Sequence, residues 1–175
     1  MAGNGHWVSD FVRDIPDYPE SGVTFRDITP LLGDARGFSD SVTELVKRFA
    51  DVPADRVMGI EARGFIIAAP AAYRMGAGFV PIRKAGKLPW AVVREDYTLE
   101  YGSAQLEMHR DAIHPGERVL VIDDVLATGG TAAAACRLVE ELGGEVVGLG
   151  FLIELSHLQG RARLGERVIE SLAVY

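Results

Sequence analysis

Apolar and polar positions follow two different periods along this chain. Four short runs rich in valine and isoleucine, residues 57–60, 79–82, 119–122 and 146–153, have the continuous apolar character of strands buried on both faces. Between them the spacing becomes helical. Val42, Leu45, Val46 and Phe49 share one face of a helix predicted over residues 38–50. An alanine-rich segment, residues 64–75, predicts a second helix, which Pro70 should kink or shorten. Residues 132–142 predict a third, closed by Gly143 and Gly144. Strands and helices in alternation imply an α/β fold with a mainly parallel, twisted sheet flanked by helices on both faces.

Two segments break the alternation. Polar and aromatic residues dominate from Lys84 to Gln105, and Tyr97, Leu99 and Tyr101 alternate ahead of Gly102 and Ser103. This pattern reads as a mobile loop and an antiparallel ribbon, together residues 83–109, with the return strand at residues 105–109. Residues 15–32 are rich in Pro, Asp and Gly and should pack as an irregular cap, part of residues 1–34, over the ligand edge of the sheet.

A length of 175 residues suits one well-buried domain covering residues 1–175. The net charge of −7 speaks against a broad nucleic-acid surface, which needs clustered cations, but leaves small anionic ligands open. The single Cys136 cannot form an intramolecular disulfide and reads as an apolar helix residue in a reduced, cytoplasmic setting. Residues 1–10 lack the features of a signal peptide, and the most apolar stretch, residues 64–73, is too short to span a bilayer. His6, His109, His114 and His157 show no metal-ligand spacing.

The chemistry concentrates after the third apolar run, where Asp123-Asp124 precede Ala127-Thr128-Gly129-Gly130-Thr131 and a helix. Ligands of parallel sheets bind beyond the carboxyl ends of the strands. There the N–H groups and dipole of the helix favour an anion, and Gly129 and Gly130 leave it room to approach. Thr128 and Thr131 add hydroxyl donors, while Asp123 and Asp124 suit sugar hydroxyls or a hydrated Mg²⁺. Strands ending in acidic residues also occur in P-loop NTPases, but the Gly-x-x-x-x-Gly-Lys-Ser/Thr loop that reading requires is absent from the sequence.

Three further clusters carry a plain reading beside a functional one. Glu61-Ala62-Arg63-Gly64-Phe65 suits a second phosphate at a helix start, or is an ordinary strand-to-helix turn. Arg83-Lys84-Ala85-Gly86-Lys87-Leu88-Pro89 suits a loop closing over pyrophosphate, or is a solvated charge run. Phe25 and Arg26, in Gly22-Val23-Thr24-Phe25-Arg26-Asp27-Ile28-Thr29-Pro30, offer backbone able to match the N6 donor and N1 acceptor of adenine, although a lone Phe is more often a core anchor. Glu100, in Leu99-Glu100-Tyr101-Gly102, would by itself be an exposed strand carboxylate.

In their order along the chain, these segments resemble those of the adenine phosphoribosyltransferases, type I phosphoribosyltransferases whose PRPP (5-phosphoribosyl diphosphate) motif corresponds to the stretch from Asp123 to Thr131. The resemblance runs from about residue 15 to residue 160. It implies a purine salvage enzyme that transfers the 5-phosphoribosyl group of PRPP to N9 of adenine, giving AMP and pyrophosphate. It assigns Ala127, Thr128, Gly129, Gly130 and Thr131 to the 5′-phosphate and Asp123 with Asp124 to the ribose hydroxyls. Ala62, Arg63, Arg83, Lys84 and Lys87 would serve pyrophosphate, with a cis peptide at Ala62-Arg63. The Phe25-Arg26 backbone would read adenine, with Leu155 against its ring. Glu100 would manage the purine proton and, with Arg63, form the catalytic pair. Mg²⁺ would be held mainly through PRPP and water near Asp123 and Asp124, and the chain would be a homodimer with no nucleic-acid or membrane partner.

The chain departs from the family pattern at Tyr18-Pro19-Glu20-Ser21-Gly22, which should loosen the cap, at Pro70, and at Ser103-Ala104-Gln105, which bears on the acidity of Glu100. Two rival readings differ in chemistry. A phosphoribosyltransferase for hypoxanthine, guanine, xanthine or orotate would generally carry a side-chain donor, often lysine, for the exocyclic oxygen, and no such motif stands out. A non-catalytic PRPP or nucleotide sensor would be expected to add a DNA-binding module or a basic face.

Overall fold

A computed structural model describes residues 6–98 and 103–175. Parallel strands make the centre of the molecule: β3 (Arg56–Ile60), β4 (Gly78–Lys84), β7 (Arg118–Leu126), β8 (Glu145–Glu154) and β9 (Ile169–Val174). The ribbon of β5 (Val92–Thr98) and β6 (Ser103–His109) adds antiparallel to β4, giving the order β5-β6-β4-β3-β7-β8-β9. A separate hairpin pairs β1 (Arg13–Pro16) with β2 (Thr24–Asp27). The helices are α1 (His6–Ser9), α2 (Thr29–Gly33), α3 (Ala35–Arg48), α4 (Arg63–Met75) and α5 (Gly130–Glu141). No helix among the described residues is long and apolar enough to cross a membrane.

The continuous apolar runs exist because both faces of the sheet are covered. Along β7, Val119 and Val121 join one core with Ala135, Leu138 and Val139 of α5, while Leu120 and Ile122 join the other with Val42 and Leu45 of α3 and Ile67 of α4. The side-chain period of two thus assigns successive residues of one strand to opposite cores. Gly148 and Gly150 of β8 make room for the buried ring of Phe49, whose carbons would lie 2.7 and 3.1 Å from a Cβ at either position. Cys136 is packed within the α5 core, and burial pushes its thiol up to about 11, which suits an apolar filler rather than a nucleophile.

Several boundaries differ from the sequence reading. α3 begins at Ala35 because the Asp34 side chain accepts from the Gly37 N–H at 2.7 Å and caps it. α4 is not shortened by Pro70: its inner residues Ile67, Ala68, Ala71 and Ala72 are buried, and that packing offsets the lost hydrogen bond. Strand β9 lies outside the four expected runs because Glu170 and Ser171 interrupt its apolar pattern. The cap is not irregular: β1 and β2 pair, Gly22 N–H donates to Asp17 Oδ1 at 2.7 Å, and the Tyr18 ring meets Phe25 edge-on at 5.3 Å, so its loop is fastened despite the unusual Tyr18-to-Gly22 sequence. The expected ribbon is present as antiparallel β5 and β6, with its return strand starting at Ser103 rather than Gln105; Val93, Tyr97, Leu106 and Met108 are buried in the core on the α5 side, and residues 85–91 form the irregular loop among the described residues.

Candidate active site

The carboxyl end of β7 projects beyond its neighbour. β3 pairs with β7 only as far as Gly59 opposite Ile122, whereas β7 continues beside β8 to Leu126 opposite Glu154. Asp123 and Asp124 therefore lie within the extended strand, at the place where β3 has given way to α4. The first turn of α4 approaches so closely that a Cβ on Gly64 would stand 2.7 Å from Asp123 Oδ1. Only glycine lets the carboxylate sit there.

Asp124 is 5% exposed, and Arg63 Nε stands 2.7 Å from its Oδ2. The approach is not directed along the N–H bond, so this buried oxygen accepts no hydrogen bond among the described residues. Asp123 Oδ1 accepts the Asp124 N–H at 2.9 Å. Desolvation, followed by the neighbouring Asp124 charge, nevertheless holds the Asp123 carboxyl well above the usual carboxylate range. The pair thus divides its roles, with Asp124 the member that Arg63 faces.

After β7, the chain turns through Gly129, at φ +78°, into α5. Its first-turn amides have no intrahelical acceptors, and residues 127–131 donate no backbone hydrogen bond to a loop or turn carbonyl among the described residues. A small cavity of about 70 Å³ opens against them, lined by Asp123, Ala127, Thr128, Gly129, Gly130 and Thr131 among others. Beneath lies Gly160, at the start of a short 3-10 turn (Gly160–Arg163) that the sequence reading did not use. A Cβ on Gly160 would stand 2.2 Å from the Ala127 carbonyl oxygen, and one on Gly129 would stand 2.4 Å from the Gly160 carbonyl oxygen. Its signal is only a glycine distant in sequence, which pattern alone cannot pair with the loop.

The adjoining cavity, about 510 Å³, brings together Phe25, Arg26, Ala62, Arg63, Lys84, Asp123, Asp124, Ala127, Thr131 and Leu155. Tyr97 and Glu61 also line it. Phe25 and Arg26 come from β2, whose only strand partner among the described residues is β1, so alternate residues turn their backbone groups away from the hairpin. The Arg63 guanidinium lies 5.2 Å from the Phe25 ring centre and so joins the acidic and aromatic walls. Arg26 is paired with Asp14 and stacks 4.1 Å from the Tyr175 ring, which leaves its backbone as the part to face a ligand.

Two expected cations are turned elsewhere. Arg83 Nε donates to Glu61 Oε2 at 3.2 Å, and Lys87 Nζ pairs with Glu61 Oε1, so neither lines the cavity. Burial tends to raise the pKa of Glu61, but hydrogen bonds from Lys87, the Lys84 N–H and Arg83 outweigh it and hold the carboxyl below its usual range. The cis peptide lies at Glu61-Ala62, one residue before the expected position. Glu100 lies outside the described residues. A larger groove, about 610 Å³ between α1 and α3 and lined by Trp7, Phe11 and Lys47, shares no residue with this site.

Residues 40–170 match the phosphoribosyl transferase domain family. The adenine phosphoribosyltransferase of Acidothermus cellulolyticus is 56% identical over 168 residues, covering 96% of this chain and 95% of that protein. The crystal structure of adenine phosphoribosyltransferase from Thermoanaerobacter pseudethanolicus superposes with a TM-score of 0.95 at 47% identity, covering 98% of this chain and 99% of that one. That of the Saccharomyces cerevisiae enzyme, complexed with an imino-altritol bisphosphate and adenine, gives a TM-score of 0.91 at 35% identity over 98% of this chain and 99% of that one.

Proposed function

This chain belongs to the adenine phosphoribosyltransferases of the phosphoribosyl transferase domain family, and from that premise we propose how its own residues divide the reaction. The enzyme transfers the 5-phosphoribosyl group of PRPP to N9 of adenine and releases AMP and pyrophosphate. The observation that carries the residue-level reading is the shared cavity, in which the β2 backbone and Leu155 stand across from the Asp123–Asp124 pair and Arg63.

The amides and hydroxyls of residues 127–131 hold the 5′-phosphate, and Asp124 with Asp123 accepts from the ribose hydroxyls. Arg63 and Lys84 face the departing pyrophosphate, joined by Arg83 and Lys87 when these leave Glu61. Breaking the bond at C1 leaves a cationic sugar and a departing polyanion, so carboxylates and cations are needed on the two sides of that carbon. The β2 backbone matches the adenine edge, and Glu100 handles the purine proton.

The donor set fits Mg²⁺ as a companion of PRPP. Asp124 Oδ2 is buried without a hydrogen bond, yet the described residues gather no cluster of three acidic, His or Cys ligands, so most donors would come from PRPP and water. Bound in that way, Mg²⁺ supplies positive charge to the pyrophosphate oxygens.

The outer face of α4 supports a homodimer: Ile66 and Tyr73, two turns apart, are 43% and 88% exposed, and Phe65 beside Ile66 meets the exposed Phe79 ring edge-on at 5.9 Å. Sedimentation at micromolar concentration should give twice the chain mass, and a monomer would refute this pairing. A cytoplasmic setting agrees with the single buried thiol and is checked by cell fractionation.

Supplying PRPP and Mg²⁺ with adenine, hypoxanthine, guanine or orotate in turn tests the base assignment. Nucleotide and pyrophosphate should form with adenine alone. Turnover of another base would overturn the role of β2.

A further inference from the structure

Glu61 stands at the carboxyl end of β3 with its side chain 8% exposed, and it is surrounded by the loop that follows β4. It accepts from Arg83 Nε and from the Lys84 N–H, both at 3.2 Å, and pairs with Lys87. Arg83 also donates to the Lys87 carbonyl at 3.1 Å, so the loop closes around this one carboxylate. A second buried acid fixes the turn separately: Glu107, 1% exposed, accepts the Gly86 N–H at 2.9 Å and Arg94 Nε at 2.8 Å. The loop's shape is therefore tied to Glu107, while two of its three cations, Arg83 and Lys87, are tied to Glu61.

Glu61 also lines the cavity beside Arg63 and Lys84. A polyanion reaching those cations must meet its negative charge, and can recruit Arg83 and Lys87 only by taking them from it. We infer that Glu61 is a positioning residue acting through Arg83 and Lys87: it neutralises them before substrate binds, yields them to the pyrophosphoryl group, and reclaims them as pyrophosphate departs. Glu61 thereby sets how tightly pyrophosphate is held and how readily it leaves. The inference rests on the proposed pyrophosphate role of this loop. A carboxylate beside a polyanion site weakens ground-state binding, but it also supplies an exchange partner that lets product go.

The test is calorimetric titration of the intact enzyme with inorganic pyrophosphate in the presence of Mg²⁺ and AMP. Glu61→Gln keeps an acceptor for Arg83 and the Lys84 N–H, removes the charge and turns an amide N–H2 toward Lys87, and should tighten pyrophosphate about tenfold. Its KM for PRPP and its kcat should fall together, a split that simple loss of structure would not produce. Glu61→Asp keeps the charge and should remain within about twofold of the wild type. In a Lys87→Gln background the added Glu61→Gln change should lose most of its effect, since the two act as a unit. Unchanged or weaker pyrophosphate binding by Glu61→Gln, or equal effects in both backgrounds, would overturn the inference alone. Absence of pyrophosphate binding by the wild type would overturn the loop's role as well.

Discussion

Gly129→Ala is expected to raise the KM for PRPP by about a hundredfold, since displacing a positioning loop by about 1 Å can have an effect of that size. Two costs coincide there. The φ of +78° disfavours any residue with a Cβ by roughly 1–2 kcal/mol, and the added carbon would lie 2.4 Å from the Gly160 carbonyl oxygen. That neighbour is backbone, so the loop must shift rather than a side chain. Gly160→Ala should have a similar effect from below, because its Cβ would meet the Ala127 carbonyl oxygen at 2.2 Å. Gly116→Ala separates conformational strain from loop displacement: its φ is +83° but a Cβ meets nothing within 4 Å. It should lower the melting temperature while leaving KM unchanged. Steady-state kinetics and thermal unfolding of the three variants check this, and a normal KM in Gly129→Ala would remove the phosphate role of the turn.

Asp124→Asn should lower kcat/KM for PRPP by about a hundredfold, equivalent to about 2.7 kcal/mol of lost stabilisation. The substitution leaves Arg63 facing an amide and removes a buried charge; Arg63 is 41% exposed, so water recovers part of what a fully buried pair would lose. Asp123→Asn should cost less, because Arg63 faces Asp124, whereas Asp123 Oδ1 is already engaged by the Asp124 N–H. Kinetics at saturating adenine with varied PRPP separate the two. Equal losses in both variants would contradict the division of roles.

The sheet was legible because burial on both faces leaves a signature that survives in one dimension, an unbroken apolar run followed by polar chemistry. The phosphate turn was legible for a related reason, since glycines beside hydroxyls and acids are explained poorly by packing alone. What escaped depended on partners far apart in sequence. Gly160 has meaning only beneath residues 127–129. Glu61 appeared in a recognised cluster, yet its function as counter-ion to Arg83 and Lys87 depends on β3 and β4 lying side by side. Strand β9 gains its place by pairing with β8, where Ser171 Oγ donates to Glu154 at 2.8 Å, so its polar residues serve the fold.

The central claim is that one cavity holds the sugar phosphate against residues 127–131 and the base against β2. A crystal structure with AMP and pyrophosphate tests it most directly. The 5′-phosphate should accept from the amides of the Thr128-to-Thr131 turn, and adenine N6 and N1 should pair with backbone of Phe25 or Arg26 beside Leu155. AMP bound with its base away from β2, or with its phosphate at Arg63 and Lys84 instead, would contradict the account.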